Sequence, residues 1–339
     1  MALKLSFEVF EVRTRHPFTI ARGTSDAYRR VWVRLTDDDG VEGWGEADPS
    51  SYYGETADTV VAALARLAPL LPAEPFDLEN AESAMLRALS GDASARMAVS
   101  AALHDLAGKR LGVPLWKLWG LDPAQAPPSS FTIGLDRPEV VRAKVQEAAP
   151  YPILKIKVGT PDDDIMLRTV RETTDKPLRA DANGGWSAQQ AVARLPFLEE
   201  MGVELLEQPV AAGDLAGLAA VHRASRIPIV ADESCRVAAD IPALAGAVDG
   251  ISIKLAKCGS LREALRMIAV ARAHHLSVMV GCMIESSLGI TAAAHFTPLL
   301  DLVDLDGAAL LAHDPFKGAS LDGGRLTLPT APGLGVTRR

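Results

Sequence analysis

Apolar and polar residues alternate over residues 3–12 and 31–36, the period of two that marks strands with one buried face. The run Asp37-Asp38-Asp39-Gly40 separates the second stretch from a third β-rich run at 41–47 and predicts a hairpin turn. The period then lengthens. Residues 57–71, 78–89 and 94–111 carry apolar side chains at helical spacing. A proline-rich break from Asp122-Pro123 to Pro127-Pro128 follows and is the best candidate boundary. These elements predict an α+β domain over residues 1–122.

Beyond the break the pattern becomes regular. Short β-rich runs end near Gly134, Val158, Asp181, Glu207, Asp232, Leu255, Cys282 and Asp304, at intervals of roughly 25 residues with helical stretches in most gaps. Strand–helix alternation of this kind implies parallel βαβ units, and eight strands suit a closed barrel over residues 123–319 better than an open sheet. A Gly-x-Gly-x-x-Gly turn after the first strand, which a doubly wound fold needs, does not occur. The last twenty residues, 320–339, are rich in Gly, Pro and Thr and are expected to return to the N-terminal domain, completing it.

Composition narrows the class. Hydrophobic residues make up 48% of the 339 and charged residues 23%, close to the globular average, which excludes a disordered or collagen-like chain. With 43 acidic against 35 basic residues the net charge is −8, which argues against nucleic acid as a partner. No apolar run approaches the roughly 20 residues of a membrane span. The first ten residues alternate instead of forming a charged segment followed by an apolar one, so no leader is expected. Cys235, Cys258 and Cys282 lack any CxxC spacing, so a reducing cytoplasm is expected, and Cys258 and Cys282, in or beside apolar segments, are expected to be packing groups. Homo-oligomerisation is left open.

Barrels of this type carry their chemistry at the C-terminal ends of the strands. Three consecutive strands end there in Asp181, Glu207 and Asp232. Three carboxylates aimed at one point repel each other unless a cation lies between them. An all-oxygen set suits a hard divalent ion, with Mg²⁺ first and Mn²⁺ second. Lys155 and Lys157 are two apart on the second strand and share a face, and Lys254 occupies the equivalent point on the sixth. In a ring of eight these strands are opposite, with the acidic strands filling the arc between them. A substrate carboxylate held on the metal would have a lysine on each side. One would remove the α-proton through a metal-stabilised enediolate and the other would return a proton to the opposite face, a 1,1-proton transfer. Lys257, past the strand end, is expected at the surface or supporting its neighbours.

The ordered set Lys155-Ile156-Lys157, Asp181-Ala182-Asn183, Glu207-Gln208-Pro209, Asp232-Glu233-Ser234 and Lys254-Leu255-Ala256-Lys257-Cys258-Gly259 resembles the enolase superfamily, in the subgroup similar to muconate lactonising enzyme. The resemblance covers nearly the whole chain. It implies an α/β fold, a (β/α)₇β TIM-like barrel with an α+β capping domain, Mg²⁺, and catalytic Lys157 and Lys254 beside Lys155. The loops near 20–24 and 50–54 would close over the substrate. Asp304-Leu305-Asp306 and Gly281-Cys282-Met283-Ile284-Glu285-Ser286 resemble the dipeptide epimerases of the alanyl-glutamate type. Asp304 and Asp306 share a strand face and want a cation, which a dipeptide's α-ammonium supplies. The resemblance implies that Met283 and Ile284 line the dipeptide backbone, that Thr132 faces the same pocket, and that Arg22 grips a distal carboxylate. The reaction expected is epimerisation at the C-terminal residue of Ala-Glu or a related L,L-dipeptide. The alternatives on the same scaffold are enzymes similar to o-succinylbenzoate synthase, N-succinylamino acid racemase or muconate cycloisomerase, whose substrates carry no ammonium.

Overall fold

The computed structural model describes residues 3–339, and Met1 and Ala2 of the alternating start lie outside the described residues. Strands β1 (Lys4–Ile20), β2 (Gly23–Thr36) and β3 (Glu42–Ala47) form an antiparallel sheet in that order. The turn before β3 is held by Asp37, whose Oδ1 accepts the amides of Asp39 and Val41. The first two strands run further than alternation predicted. The charged and proline-bearing run Arg13-Thr14-Arg15-His16-Pro17 breaks the pattern in sequence, and the pairing register shifts between Arg13 and Phe18 before the strands resume. Residues 20–24 are therefore the tip of one long hairpin.

Helices Ala57–Leu67, Leu78–Ala88 and Ala93–Leu111 follow. The third is buried on every side from Ala93 to Gly108 because it lies between the cap sheet and the barrel. Gly43 and Gly45 allow its close approach to β3. A Cβ at those positions would sit 2.1 Å from Ala102 O and 2.0 Å from Ala98 O.

The barrel strands are β4 (Phe131–Ile133), β5 (Leu154–Lys157), β6 (Leu178–Asp181), β7 (Val203–Glu207), β8 (Ile229–Ala231), β9 (Gly250–Ile253), β10 (Ser277–Gly281) and β11 (Leu302–Asp304). They form one parallel sheet in sequence order. A parallel bridge between Ser129 and Val303, with Ser130 N–H donating to Val303 O at 3.1 Å, closes the ring. Helices fill the gaps up to β11, which passes instead into the 3₁₀ turn Gly307–Leu310. Together these give the (β/α)₇β barrel with its α+β cap.

The chain end serves both parts. β12 (Phe316–Lys317) pairs with β15 (Thr337–Arg338), and the hairpin of β13 (Ser320–Asp322) and β14 (Arg325–Thr327) reaches Ser129 through Gly324 O. Pro329 O accepts from the Trp116 indole, and Leu334 N–H donates to Asp105 on the long cap helix.

Inside the ring, Leu205, Val230 and Met279 form an apolar floor, packed by Leu302. Strand periodicity places Glu207, Asp232 and Gly281 two residues further along the same faces, at the mouth. The alternation that builds the floor thus also aims the polar groups.

Candidate active site

Asp181, Glu207 and Asp232 meet at the mouth, all buried, with one oxygen from each within 4.8 Å of the others. Lysines surround them. Lys155 Nζ lies 2.6 Å from Glu207, 2.7 Å from Asp304 and 3.1 Å from Asp181. Lys157 Nζ is 2.6 Å from Asp181, and Lys254 Nζ is 2.7 Å from Asp232 on the far side. Lys155 and Lys157 share one oxygen of Asp181, so the two neighbouring ammoniums foreseen in sequence meet across a carboxylate.

Burial opposes ionisation of Asp181 and Asp232, yet the adjacent lysines hold both carboxyls well below their ordinary range. Burial pushes Glu207 up to about 7 against the pull of Lys155. Burial also works against charge on Lys155 and Lys254, but the surrounding carboxylates raise both well above the ordinary lysine value.

The three acids fit a divalent cation on chemistry and geometry. Among the described residues, neither oxygen of Glu207 receives a well-directed hydrogen bond, although both are buried and Lys155 is close by. A buried carboxylate without directed donors is costly unless a cation completes it. The backbone beside the acids is fixed by unusual means. Asn183, two residues past Asp181, and Gln208, the residue after Glu207, adopt left-handed conformations with φ of 45° and 38°. The Gln208 side chain accepts the amides of Asp232 and Ser234 and donates to Val210 O, tying the ends of β7 and β8 together.

Lys257 is fully buried. It contacts Asp232 Oδ1 at 2.6 Å and donates to the carbonyls of Asp232, Cys235 and Ser252. Of the two roles foreseen for it, the structure gives support of Asp232.

Asp304 and Asp306 share the mouth but not the same surroundings. Asp304 accepts from Ser130 at 2.6 Å and Lys155 at 2.7 Å, so it already has a cation, and that cation holds its carboxyl low against burial. Asp306 accepts the Thr132 amide at 2.6 Å, and no salt bridge reaches it among the described residues. Burial and the charge of Asp304 push it up to about 7.

A cavity of about 480 Å³ joins these groups, lined by Lys155, Lys157, Lys254, Asp304, Asp306, Thr132, Met283, Ile284 and Arg22 among others. Every candidate residue outside the acid triad thus faces one space. Arg22 is engaged there. Its guanidinium donates to Asn183 O and Glu233, both at 2.8 Å, and lies 4.3 Å from the Tyr52 ring centroid. The hairpin tip is thereby fastened to the barrel loops after β6 and β8.

Sequence reasoning missed a buried cluster that joins cap to barrel. Glu46, Asp48 and Glu285 surround Arg30, whose Nε lies 3.1 Å from Asp48 and 2.9 Å from Ile284 O. Burial raises all three carboxyls, Glu285 to about 7. The sign in sequence was Gly45-Glu46-Ala47-Asp48, two acids where an apolar strand end was due.

Comparison with known proteins agrees with this geometry. Residues 4–120 match the family described as mandelate racemase / muconate lactonizing enzyme, N-terminal domain, and residues 139–339 match the enolase C-terminal domain-like family. An L-Ala-D/L-Glu epimerase of Bacteroides thetaiotaomicron is 42% identical over 338 residues, covering 99% of this chain and 88% of the relative. The substrate-liganded L-Ala-D/L-Glu epimerase of Bacillus subtilis superposes with a TM-score of 0.95 at 33% identity, covering 100% of this chain and 99% of that one. A dipeptide epimerase of Enterococcus faecalis, complexed with Mg and L-Leu-L-Tyr, gives 0.94 at 33% identity over 100% of both chains. Both the site and its frame make this chain a member of the mandelate racemase / muconate lactonizing enzyme family of the enolase superfamily.

Proposed function

We propose that the protein is a dipeptide epimerase dependent on a divalent cation, Mg²⁺ first and Mn²⁺ second, that inverts the α-carbon of the C-terminal residue of Ala-Glu or a related L,L-dipeptide. The observation that carries the reading is the placing of Lys157 and Lys254 on opposite sides of the acid triad, with Asp306 at the edge of the same cavity. The relatives named as dipeptide epimerases support it and do not favour the eliminating, lactonising or N-succinyl alternatives.

Asp181, Glu207 and Asp232 would hold the cation. When bound, it would bind the substrate carboxylate and stabilise the negative charge that develops as the α-proton leaves. The lysines do the proton work. One enters each turnover as the neutral amine and the other as the ammonium. The amine takes the α-proton from one face, and the ammonium gives its proton to the other, so the enzyme ends with the two roles exchanged. Lys155 orients Asp181, Glu207 and Asp304 as a fixed positive charge. Asp306 receives the substrate α-ammonium, which no succinylated or lactone substrate carries. Arg22 and Tyr52 close the hairpin tip over the epimerised residue.

Epimerisation of Ala-Glu in heavy water with Mg²⁺ tests the reading. Deuterium is expected at the α-carbon of the second residue. Lys157→Ala and Lys254→Ala should each retain exchange from a single face while epimerisation falls about 10²–10⁴-fold. Glu207→Gln should lose Mg²⁺ binding in calorimetry. Full epimerisation in both lysine variants, or no exchange across a dipeptide library, would sink the proposal.

A further inference from the structure

At its Asp306 end the catalytic cavity backs onto a second cavity of about 380 Å³. The two share three wall residues, Phe18, Thr132 and Leu310. The second cavity lies at the seam of the barrel, where β11 passes into the turn Gly307–Leu310 and β4 begins. Its size falls within the roughly 300–1,000 Å³ common for small-molecule sites. Its lining sets an aromatic pair beside the charged Arg15, Lys144 and Glu147. Phe131 and Tyr151 are stacked there with ring centroids 4.3 Å apart.

The wall is made from both parts of the molecule. Phe18 enters from the cap hairpin and Leu310 from the barrel turn, and both pack on an apolar cluster of Val12, Ile284 and Leu311. Thr132 enters from β4, and its amide is bonded to Asp306 at 2.6 Å. An ammonium held by Asp306 carries its Cα one bond away and its side chain one bond further. The side chain of a dipeptide's first residue would therefore start near Thr132, which both cavities share.

We propose, resting on the epimerase reading above, that Phe18 and Leu310 are a partition that restricts the first residue of the dipeptide to a small side chain, and that the chamber behind them accepts an aromatic first residue once the partition is cut back. The stacked Phe131–Tyr151 pair fits a phenyl or indole group by offset or edge contact. The partition selects through steric exclusion, so its removal changes the ratio between substrates whatever it does to the common rate.

The test is a competition in heavy water with Mg²⁺, using Ala-Glu, Phe-Glu and Trp-Glu together and reading deuterium at the second residue by mass spectrometry. In the unmodified protein label should enter Ala-Glu far faster than the other two. In Phe18→Ala the Phe-Glu to Ala-Glu ratio should rise at least tenfold. Leu310→Ala and Phe18→Leu provide the same reading if Phe18→Ala does not fold. Equal labelling of Phe-Glu and Ala-Glu in the unmodified protein overturns the partition. So does a ratio that moves less than threefold in the folded variants. Label in none of the dipeptides in the unmodified protein overturns the epimerase reading, and the partition with it.

Discussion

At the scale of single residues, the side chains at the mouth are tuned by what lies two positions away or one strand over. Gly281 is an example. A Cβ there would come within 3.0 Å of Lys254 Cε and 3.3 Å of Ser252 Oγ, so the missing side chain is the room in which Lys254 lies. Gly281→Ala should push the amine off its line. A displacement near 1 Å costs about 10²-fold in such reactions. We expect a loss of that order in epimerisation, with exchange lost from the Lys254 face and Mg²⁺ binding unchanged. Unaltered exchange from both faces would show that Lys254 does not depend on this space. The acids and lysines were legible in sequence because strand period two and a shared end position locate them without tertiary knowledge. Lys257 was less so, because it lies four residues past the end of β9, in the short helix Leu255–Cys258, where strand alternation no longer says which way a side chain turns. Phe18 and Arg30 were not legible, since their partners come from segments more than 250 residues away, at Leu310 and Ile284.

At the scale of elements, the junction of cap and barrel rests on helix ends and strand ends meeting. Ser286 caps the helix Ser287–Ala294 by accepting the Leu288 amide, and its own amide and hydroxyl donate to Glu46 at the end of β3. Ser286→Ala removes a cap worth about 1 kcal/mol and leaves part of a buried carboxylate without its donor, a further cost of about 1–3 kcal/mol. Urea unfolding should show a loss of about 2–4 kcal/mol. A loss below 1 kcal/mol would mean that Glu46 finds another donor. The cap helices and the ends of the barrel strands were read from sequence to within a few residues, whereas the barrel helices were read only as filling the gaps and the short strands β12 to β15 were not foreseen. The long hairpin was the exception, because its bulge carries Arg, His and Pro where the alternation needed apolar residues.

At the scale of the whole molecule, the cap, the barrel and the chain end are joined through His295. Its Nδ1 accepts the Trp116 amide and its Nε2–H donates to Leu334 O, which sets the neutral tautomer. Burial pulls its pKa from 6.5 down to about 4. Between those values the unfolded chain binds a proton that the folded chain refuses, so stability present above pH 6.5 is lost as pH falls towards 4, up to about 3 kcal/mol. In urea unfolding from pH 7 to 4.5, the natural chain should lose roughly 2 kcal/mol more than His295→Gln. Equal losses would exclude His295 as the source. The barrel seam carries a consequence for synthesis. Asp181, Glu207 and Asp232 lie on adjacent strands and can gather while the chain is still emerging. The pair of Lys155 with Asp304, 149 residues apart, and the bridge from Ser129 to Val303 must wait for the final strand. On the proposed reading the ammonium end of the pocket is thus the last part of the site to exist, and a ribosome product stopped short of residue 302 would carry the three acids of the triad without Asp304 and Asp306.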